Sequence, residues 1–339
     1  MEYRTLGQTD LLVSTICLGT MQFGWTADKL TSYAIMSEFT EQGGNFFDTA
    51  DVYSFWADDN PGGVSEQWIG DWIRQSNIPR DELFVATKAG LRMWDGPDGV
   101  GLGRKHLVRA VEDSLRRLQV ETIDLYQAHW PDEKTPIEET LRAFDDMVQQ
   151  GKVRYLGCSN YGFAQLDAAL TTSLEHGLNR FVSLQPHYNM MRRINYEGEL
   201  MDLCQRENIG VIPYSSLERG FLTGKYRKDR PIPEKAWESK SLPQCFTDQG
   251  FAVIEALVDI AKSHGTTVPQ IAIAWLLANP GITSAIIGAS SVDQLRETVG
   301  QKFATLSTAE KDALDRETAW TAREEIPRTG MMQLLDESL

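Results

Sequence analysis

Short apolar runs rich in β-branched residues alternate with longer amphipathic stretches along the chain. The runs lie at positions 15–20, 45–50, 83–89, 123–129, 153–160, 181–187, 211–215 and 284–288. Near-continuous apolar runs of this length are typical of parallel strands that are buried on both faces. The pattern therefore predicts eight parallel β-strands.

The stretches between these runs have the period of amphipathic helices. In Arg104–Leu118 the apolar residues recur at spacings of three and four, which places them on one helix face. Gly151 and Gly177 stand where a residue in the left-handed conformation commonly ends a helix. Helices are accordingly predicted over Arg104–Leu118, 137–150, Phe163–His176, 197–207 and 268–279.

Strands that each precede a helix predict a closed α/β fold, the eight-stranded parallel (β/α)8 or TIM barrel, with an N-terminal β-hairpin and extra loops. We expect residues 1–339 to form one domain, because such barrels often exceed the usual domain length. A doubly wound open sheet would carry three closely spaced glycines after its first strand. That region has Gly19 and Gly24 but lacks this spacing, which favours the barrel. The proline-containing segment 219–249 predicts a long excursion after the seventh strand.

The charge composition argues against some classes of binding partner. Aspartate and glutamate (48) outnumber lysine and arginine (33), giving a formal net charge of -15. Nucleic acids and anionic membranes attract basic surfaces, so we expect neither as a partner. No signal peptide and no long apolar span is evident, and the expectation is a cytoplasmic protein. The four cysteines lie far apart without zinc-site spacing, so we expect reduced, mostly buried thiols.

Polar residues follow several of the predicted strands, where α/β barrels carry their chemistry. Asp48 ends the second strand and Tyr53 lies just beyond, while Lys88 and His129 end the third and fourth. A nearby ammonium stabilises a phenolate, so we expect Lys88 to lower the pKa of Tyr53 and Asp48 to hold Lys88 protonated. His129 would be a neutral hydrogen-bond donor to a substrate oxygen. This set can protonate an oxygen but has no obvious nucleophile, which predicts a hydride donor as the missing part.

A metal-dependent hydrolase is the alternative chemistry at the same strand ends. Asp48, His129 and His187 are the residues that could ligate a metal ion. The positive charge of Lys88 at the centre of this set would repel a cation. The sequence therefore predicts no metal site.

The residues at these strand ends resemble those of the aldo-keto reductase superfamily over essentially the whole chain. The resemblance rests on the segments at 44–53, 86–88, 123–129, 157–160, 184–185, 213–217 and 287–291. The segment 220–226 is similar to the branch related to the potassium-channel β subunits. These motifs together are highly specific.

The resemblance implies a catalytic tetrad of Asp48, Tyr53, Lys88 and His129. It also implies that Ser159, Asn160 and Gln185 bind the nicotinamide carboxamide and that Tyr214 stacks on the nicotinamide ring. Ser215, Leu217 and Gly220 would follow the pyrophosphate, and Ser290, Gln294 and Glu297 would hold the adenosine end. We assign these further positions to the cofactor site: Gly19, Thr20, Met21, Asp48, Ser216, Ile287 and Gly288.

The sequence departs from the family pattern near the expected phosphates. Ser216 stands where many members have proline. Gly288 and Gln294 stand where some members have the lysine and arginine that hold the 2′-phosphate of NADP. A local excess of basic residues at 218–235 supplies other cations, with Lys225 and Arg230 as candidate phosphate ligands. We therefore expect NADP(H), with NAD(H) as the alternative.

Tryptophans follow each of the first four strands, at Trp25, Trp56, Trp94 and Trp130. Together with Tyr53 and His129 they are predicted to line the substrate pocket. Aromatic faces suit flat rings or the apolar faces of sugars. The same loops carry further polar residues, namely Asp51, Asp58, Asp59, Asn60, Asp95 and Asp98, which suits a hydroxyl-rich compound. A small carbonyl or alcohol compound, sugar-like or aromatic, is thus the expected substrate.

A cofactor-holding regulatory subunit that senses redox state and binds a protein partner is the alternative function. The complete tetrad favours the enzyme, because a sensor does not need it. The sequence leaves the direction of reaction and the oligomeric state open.

Overall fold

The protein forms a parallel β-barrel surrounded by helices. The computed structural model describes residues 1–57, 60–237, 239, 242–300 and 304–319. A two-stranded hairpin precedes the barrel: β1 (Tyr3–Thr5) and β2 (Leu12–Ser14). The barrel strands are β3 (Ile16–Gly19), β4 (Phe46–Asp48), β5 (Phe84–Ala89), β6 (Ile123–Ala128), β7 (Val153–Ser159), β8 (Phe181–Gln185), β9 (Gly210–Val211) and β10 (Ala285–Gly288).

The barrel strands pair in parallel in the order β10-β3-β4-β5-β6-β7-β8-β9. The first and last strands of this order also meet. The Ile286 N–H donates to the Pro213 carbonyl at 2.9 Å, and the Thr283 N–H donates to the Val211 carbonyl at 2.8 Å. These bonds close the sheet into the predicted eight-stranded barrel.

Helices connect the barrel strands. They are α1 (Lys29–Glu41), α2 (Val64–Gln75), α3 (Arg104–Leu118), α4 (Ile137–Gln149), α5 (Phe163–His176), α6 (Glu199–Arg206), α7 (Glu234–Trp237), α8 (Asp248–His264), α9 (Val268–Leu277), α10 (Val292–Val299) and α11 (Thr308–Glu317). Short 3-10 helices cover Arg80–Glu82, Pro97–Gly99, Arg193–Asn195, Glu218–Thr223 and Leu242–Cys245. Gly177 ends α5 at φ +62°, as its position predicted. None of the helices in the described ranges is long and apolar enough to cross a membrane.

Alternation along the strands divides the core into two parts. Ile16 and Leu18 of β3 pack outward against the helices, whereas Cys17 points into the barrel. The interior also holds Phe46 and Leu125, and the hairpin residues that cover it are Leu6, Leu11 and Val13. The hairpin thus closes the amino-terminal end of the barrel and leaves the carboxyl end for a site.

The predicted strands are confirmed, with shorter bounds. β9 covers only Gly210–Val211, and beyond it Pro186 and Pro213 lack the N–H groups that would extend its two ladders. The predicted excursion after this strand consists of short helices and turns before α8 begins at Asp248. The four cysteines are buried and form no disulfide, as expected.

Candidate active site

Four polar side chains lie at the carboxyl end of the barrel. Asp48 is the last residue of β4, Lys88 lies near the end of β5, and His129 directly follows β6. Tyr53 follows β4 in a turn that its N–H closes by donating to the Ala50 carbonyl at 3.3 Å. Because parallel strands share a direction, their carboxyl ends bring these residues to one place.

Lys88 is the centre of the group. Its Nζ donates to Asp48 Oδ2 at 2.6 Å, to the Thr49 carbonyl at 2.8 Å and to the Tyr53 hydroxyl oxygen at 2.9 Å. Lys88 and Asp48 are almost fully buried. An ammonium has three N–H donors, so all of them have acceptors and the side chain is fixed in position.

Tyr53 is a protonated phenol in this setting. Burial raises the pKa of Tyr53 well above its ordinary value, and the carboxylate of Asp48 raises it further. The pKa of Tyr53 is therefore raised overall, opposite to the lowering expected from Lys88. Asp48 offsets the charge of Lys88, and burial of the hydroxyl disfavours the phenolate.

His129 is neutral, as expected. Burial lowers the pKa of His129 well below its ordinary value, and the positive charge of Lys88 lowers it further. The His129 ring lies edge to face with the Tyr53 ring, with centroids 6.0 Å apart. Its Nδ1 is buried and has no hydrogen-bond partner in the described part of the chain.

Two glutamine side chains contact the other oxygen of Asp48. Gln185 Nε2 donates to Asp48 Oδ1 at 2.7 Å, and Gln127 Nε2 lies 3.3 Å from the same atom. The carboxylate is therefore fixed on both oxygens. Gln127 was not expected here, since a glutamine within an apolar strand run gives no signal of its own.

Similarity to known proteins extends over most of the sequence, beyond these side chains. A sequence model of the aldo/keto reductase family matches residues 15–317. The chain belongs to the aldo/keto reductase family. It is therefore an oxidoreductase of the kind that acts on small-molecule carbonyl compounds, in a family that generally uses nicotinamide cofactors.

Curated relatives cover most of this aldo/keto reductase. It is 36% identical over 303 residues to the uncharacterized oxidoreductase YrpG of Bacillus subtilis, covering 88% of this chain and 90% of that protein. It is 32% identical over 327 residues to L-glyceraldehyde 3-phosphate reductase of Escherichia coli, covering 94% and 93%. It is 35% identical over 305 residues to a probable voltage-gated potassium channel subunit beta of Arabidopsis thaliana, covering 88% and 90%. The resemblance stated from the motifs is confirmed.

The residues expected at the nicotinamide of this aldo/keto reductase are neighbours. The Tyr214 hydroxyl donates to Asn160 Oδ1 at 2.9 Å, and Asn160 Nδ2 donates to Ser159 Oγ at 3.0 Å. Ser159 Oγ in turn donates to the Gln185 carbonyl at 2.9 Å. Asn160 Nδ2 also reaches the His129 carbonyl at 3.1 Å, which links this group to the tetrad.

The loop after Tyr214 has unusual backbone geometry. Ser215 has φ +54°, and Glu218, Arg219 and Gly220 have φ between +44° and +84°. The backbone N–H groups at 215–217 donate to no acceptor in the described part of the chain. Unpaired N–H groups beside left-handed residues form anion-binding concavities, which suits a pyrophosphate.

Other residues expected at the cofactor direct their side chains to groups within the protein. Ser216 Oγ donates to the Ile286 carbonyl at 2.8 Å, so its hydroxyl faces β10. Thr20 is buried, and its hydroxyl donates to the Asp48 carbonyl at 2.9 Å. A side chain at Gly19 would lie 2.8 Å from Ile286, and Met21 packs beside Tyr53.

The expected adenosine end lies where β10 meets α10. Ser291 caps α10 by accepting from the Gln294 N–H, and Gln294 Oε1 accepts from the Ser290 N–H at 2.8 Å. Ser290 Oγ lies 2.9 Å from Thr26 Oγ1, a residue that sequence reasoning missed. Ile287 is buried, whereas Glu297 is exposed at the surface of α10.

Gly288 lies beside another unexpected residue. A Cβ there would lie 2.6 Å from Gln22 Nε2, so a lysine at this position would require Gln22 to move. Gln22 Oε1 is buried and has no hydrogen-bond partner in the described ranges. Gln22 thus occupies the space next to the position where some family members carry a phosphate-binding lysine.

The basic segment contains paired and unpaired cations. Arg227 pairs with Glu255, and Lys228 pairs with Asp248. Lys225 and Arg230 are exposed and form no ion pair with any described residue. A Cβ at Gly220 would lie 2.7 Å from Lys225 Nζ, so this ammonium lies against the loop that follows Tyr214.

The four tryptophans occupy two different environments. Trp56 and Trp130 pack in the apolar cluster that contains Tyr53, and the Trp25 ring lies 5.8 Å from the Trp56 ring. Trp94 instead stacks on His106, with centroids 4.7 Å apart, so it packs against α3. The remaining apolar members of the Tyr53 cluster were not expected from the sequence: Ala50, Val52, Phe55, Leu91 and Met93.

The acidic residues expected around the pocket do not form one group. Asp51 is fully buried, so the expectation that it faces a hydroxyl-rich substrate is wrong. Burial raises the pKa of Asp51 well above its ordinary value, and the nearby Glu66 raises it further. Asp95 and Asp98 are exposed, and Asn60 Nδ2 donates to the Gly24 carbonyl. The positions 58 and 59 lie outside the described residues.

Two of the residues suggested as metal ligands instead bind other side chains. Asp48 is bound to Lys88, and His187 Nε2 lies 3.1 Å from Glu218 Oε2. The described ranges contain no group of three or more histidine, cysteine, aspartate or glutamate residues arranged to hold a metal ion.

Proposed function

We propose that this aldo/keto reductase is an NADP(H)-dependent oxidoreductase that interconverts an aldehyde or ketone and its alcohol by hydride transfer, with Tyr53 as general acid and base. The observation that carries the proposal is the position of Lys88 Nζ, which contacts Asp48 Oδ2 at 2.6 Å and the Tyr53 hydroxyl at 2.9 Å. A buried phenol fixed by an ammonium is suited to proton transfer to an oxygen.

The residues present fit a dinucleotide. Tyr214 offers a ring beside the amide and hydroxyl groups of Asn160 and Ser159, and the loop after Tyr214 offers unpaired N–H groups. When bound, a dihydronicotinamide supplies the hydride that no protein side chain can provide. These residues would hold it next to Tyr53 and His129.

The chain's own residues manage the proton. Tyr53 and His129 donate hydrogen bonds to the carbonyl oxygen of the substrate and orient it. As negative charge develops on that oxygen, the Tyr53 hydroxyl transfers its proton to it, since an alkoxide is a stronger base than a phenolate. Lys88 then stabilises the phenolate, and Asp48 holds Lys88 in position. In the oxidative direction the Tyr53 phenolate accepts the proton.

The raised pKa of Tyr53 agrees with this role in reduction. Burial keeps the hydroxyl protonated at neutral pH, so the proton is present when the substrate arrives. The raised pKa also makes Tyr53 a weaker acid. The fixed hydrogen bond from Lys88 offsets this effect, because it stabilises the phenolate once it forms.

We propose a small aromatic or sugar-like carbonyl compound as the substrate. Trp56 and Trp130 pack beside Tyr53 and offer flat apolar faces. One relative is named for the reduction of L-glyceraldehyde 3-phosphate, a small hydroxylated aldehyde. A regulatory role beside an ion channel, suggested by another relative's name, requires no proton donor and is not favoured by the complete tetrad.

Binding of NADP⁺ and NAD⁺, followed by thermal unfolding, tests the proposal. A ligand that binds only the folded state increases its stability by mass action, by roughly 2.7 kcal/mol at a hundredfold excess over Kd. This gain raises the melting temperature. We expect NADP⁺ to give the larger shift and to support turnover of a panel of aldehydes and ketones. An absence of any shift with both dinucleotides would contradict the proposal.

A further inference from the structure

The carboxylate of Glu218 is a buried anion behind the proposed cofactor site. Its side chain is about 1% exposed, and both of its oxygens are hydrogen-bonded. Burial alone would raise the pKa of Glu218, but the hydrogen bonds and positive charges of His187 and Arg192 outweigh burial and lower it to about 2. Glu218 is therefore ionised at neutral pH.

The first partner of Glu218, His187, connects it to the ring of Tyr214. His187 Nε2 lies 3.1 Å from Glu218 Oε2, and the His187 ring stacks on the Tyr214 ring with centroids 5.0 Å apart and planes 20° from parallel. The Tyr214 hydroxyl donates to Asn160. One face of Tyr214 is thus covered by His187, which leaves the other face for a nicotinamide ring.

The second partner connects Glu218 to the loop after Tyr214. Asn189 Nδ2 donates to Glu218 Oε2 at 2.7 Å and to the Ser215 carbonyl at 2.9 Å. Ser215 and Glu218 are both in the left-handed region, where a residue other than glycine is strained. Such a backbone persists only when surrounding contacts hold it, and Asn189 contacts both strained residues.

The third partner connects Glu218 to the excursion between β9 and α8. Arg192 donates to Glu218 Oε1 from Nε at 3.1 Å and from Nη2 at 3.0 Å. Arg192 Nη1 also donates to Gln244 Oε1 at 3.1 Å. The same carboxylate therefore joins the segment after β8, the loop after Tyr214 and the end of the excursion.

We propose that Glu218 is a positioning residue for the dinucleotide, which fixes the Tyr214 ring and the N–H groups at 215–217 relative to one another through His187, Asn189 and Arg192. The inference rests on the proposed function, because it concerns how the same cofactor is held. Glu218 contacts none of the tetrad residues, so it acts on cofactor affinity and not on proton transfer. Loss of the carboxylate releases the strained loop into arrangements that do not bind the dinucleotide.

Glu218→Gln tests this role, with Glu310→Gln as a matched control. Glu310 also accepts from a histidine, His264, at 2.8 Å, but on α8 and α11 away from the site. We expect Glu218→Gln to raise the Kd of NADPH and of NADP⁺ about tenfold, as when the binding-competent loop falls to about a tenth of the population. At saturating cofactor kcat should change little, and Glu310→Gln should bind as the wild type does.

A residue that only stabilised the fold would give a different result. The melting temperature of Glu218→Gln would fall while its Kd values at 25 °C stayed at the wild-type level, and this outcome would overturn the inference. If Glu218→Gln does not fold, the charge-balanced pair Glu218→Gln with Arg192→Gln carries the same expectation. His187→Phe keeps the stacking but removes the bond to Glu218, and wild-type affinity in this variant would also overturn the inference.

The wild-type titration comes first and separates the two proposals. Failure of the wild-type enzyme to bind either dinucleotide would overturn the proposed function, and the inference with it. Binding by the wild type with unchanged affinity in the folded Glu218 variants would leave the proposed function intact and overturn the inference alone.

Discussion

Lys88 and Asp48 form a buried ion pair, with Nζ and Oδ2 2.6 Å apart, at the point where β4 and β5 end. Burial and the charge of Asp48 outweigh the stabilisation that the Lys88 ammonium gives the phenolate, so the pair does not make Tyr53 a stronger acid than an ordinary phenol. It instead fixes a donor against the Tyr53 hydroxyl, and this donor stabilises the phenolate only when the proton has left. The site is thus arranged for the charge that develops during reaction and not for the resting state.

Removal of one member of this pair should destabilise the fold. Lys88→Met leaves the Asp48 carboxylate buried without a cation, which costs about 3–5 kcal/mol. The double variant Lys88→Met with Asp48→Asn should regain most of that stability, because no unpaired charge remains. Urea unfolding measures both effects. Turnover should be lost in both variants, and an active double variant would contradict the role given to Lys88.

Asp51 should make the stability of the enzyme depend on pH. Its raised pKa means that the folded protein keeps a proton that the unfolded chain releases above about pH 4. Folding stability therefore falls as the pH rises from about 4 towards the folded pKa, by at most about 1.4 kcal/mol per pH unit. Asp51→Asn removes this contribution.

Urea unfolding of Asp51→Asn and the wild type between pH 4.5 and pH 8 tests the effect. The charges that act on Asp51 are Glu66, Arg117 and Lys88, and the substitution leaves all three in place. The variant should gain stability relative to the wild type as the pH rises. A constant difference across this range would show that Asp51 is ionised in the folded protein.

Lys225 should discriminate between the two dinucleotides. It is exposed, forms no ion pair with a described residue, and lies against Gly220. If it binds the 2′-phosphate, Lys225→Gln should raise the Kd of NADPH about tenfold, since a charge-assisted hydrogen bond contributes about 1.5 kcal/mol or more. The Kd of NADH should stay unchanged. Lys228→Gln is the control, because Lys228 is already paired with Asp248, and equal effects in both variants would contradict the assignment.

The tryptophans should differ in their effect on substrate binding. Trp56 packs beside Tyr53, so Trp56→Ala should raise the KM for an aromatic aldehyde about two- to tenfold, as expected for the loss of an aromatic contact. Trp94 packs against His106 and Arg109, so Trp94→Ala should lower the melting temperature and leave KM unchanged. Steady-state kinetics with both variants decides the matter. The reverse pattern would place the pocket on the side of Trp94.

Local patterns in the sequence were sufficient for much of the fold. The helix predicted over Arg104–Leu118 has these same bounds, because its apolar stripe is uninterrupted. The tetrad could be predicted from the sequence for a related reason. A polar residue at the end of an apolar run has a known place in a parallel barrel, and Asp48, Lys88 and His129 all satisfy this condition.

Contacts that depend on barrel closure could not be predicted from local sequence patterns. Thr26 and Ser290 meet only because β3 and β10 are neighbours around the ring, and Gln22 reaches Gly288 for the same reason. The polar side chain of Asp51 suggested a place beside the substrate, whereas the turn before Tyr53 folds it into the interior. The pKa of Tyr53 was assigned the wrong direction because burial and the charge of Asp48 were not weighed against Lys88.

The rate of carbonyl reduction by Tyr53→Phe, at saturating NADPH and with a substrate that the wild type reduces, tests the account most directly. Loss of the proton donor should lower kcat at least about a hundredfold and leave the Kd of NADPH unchanged. Tyr155→Phe is the control, because Tyr155 binds Asp10 at the opposite end of the barrel. Turnover by Tyr53→Phe at the wild-type rate would contradict the assignment of Tyr53 as the proton donor.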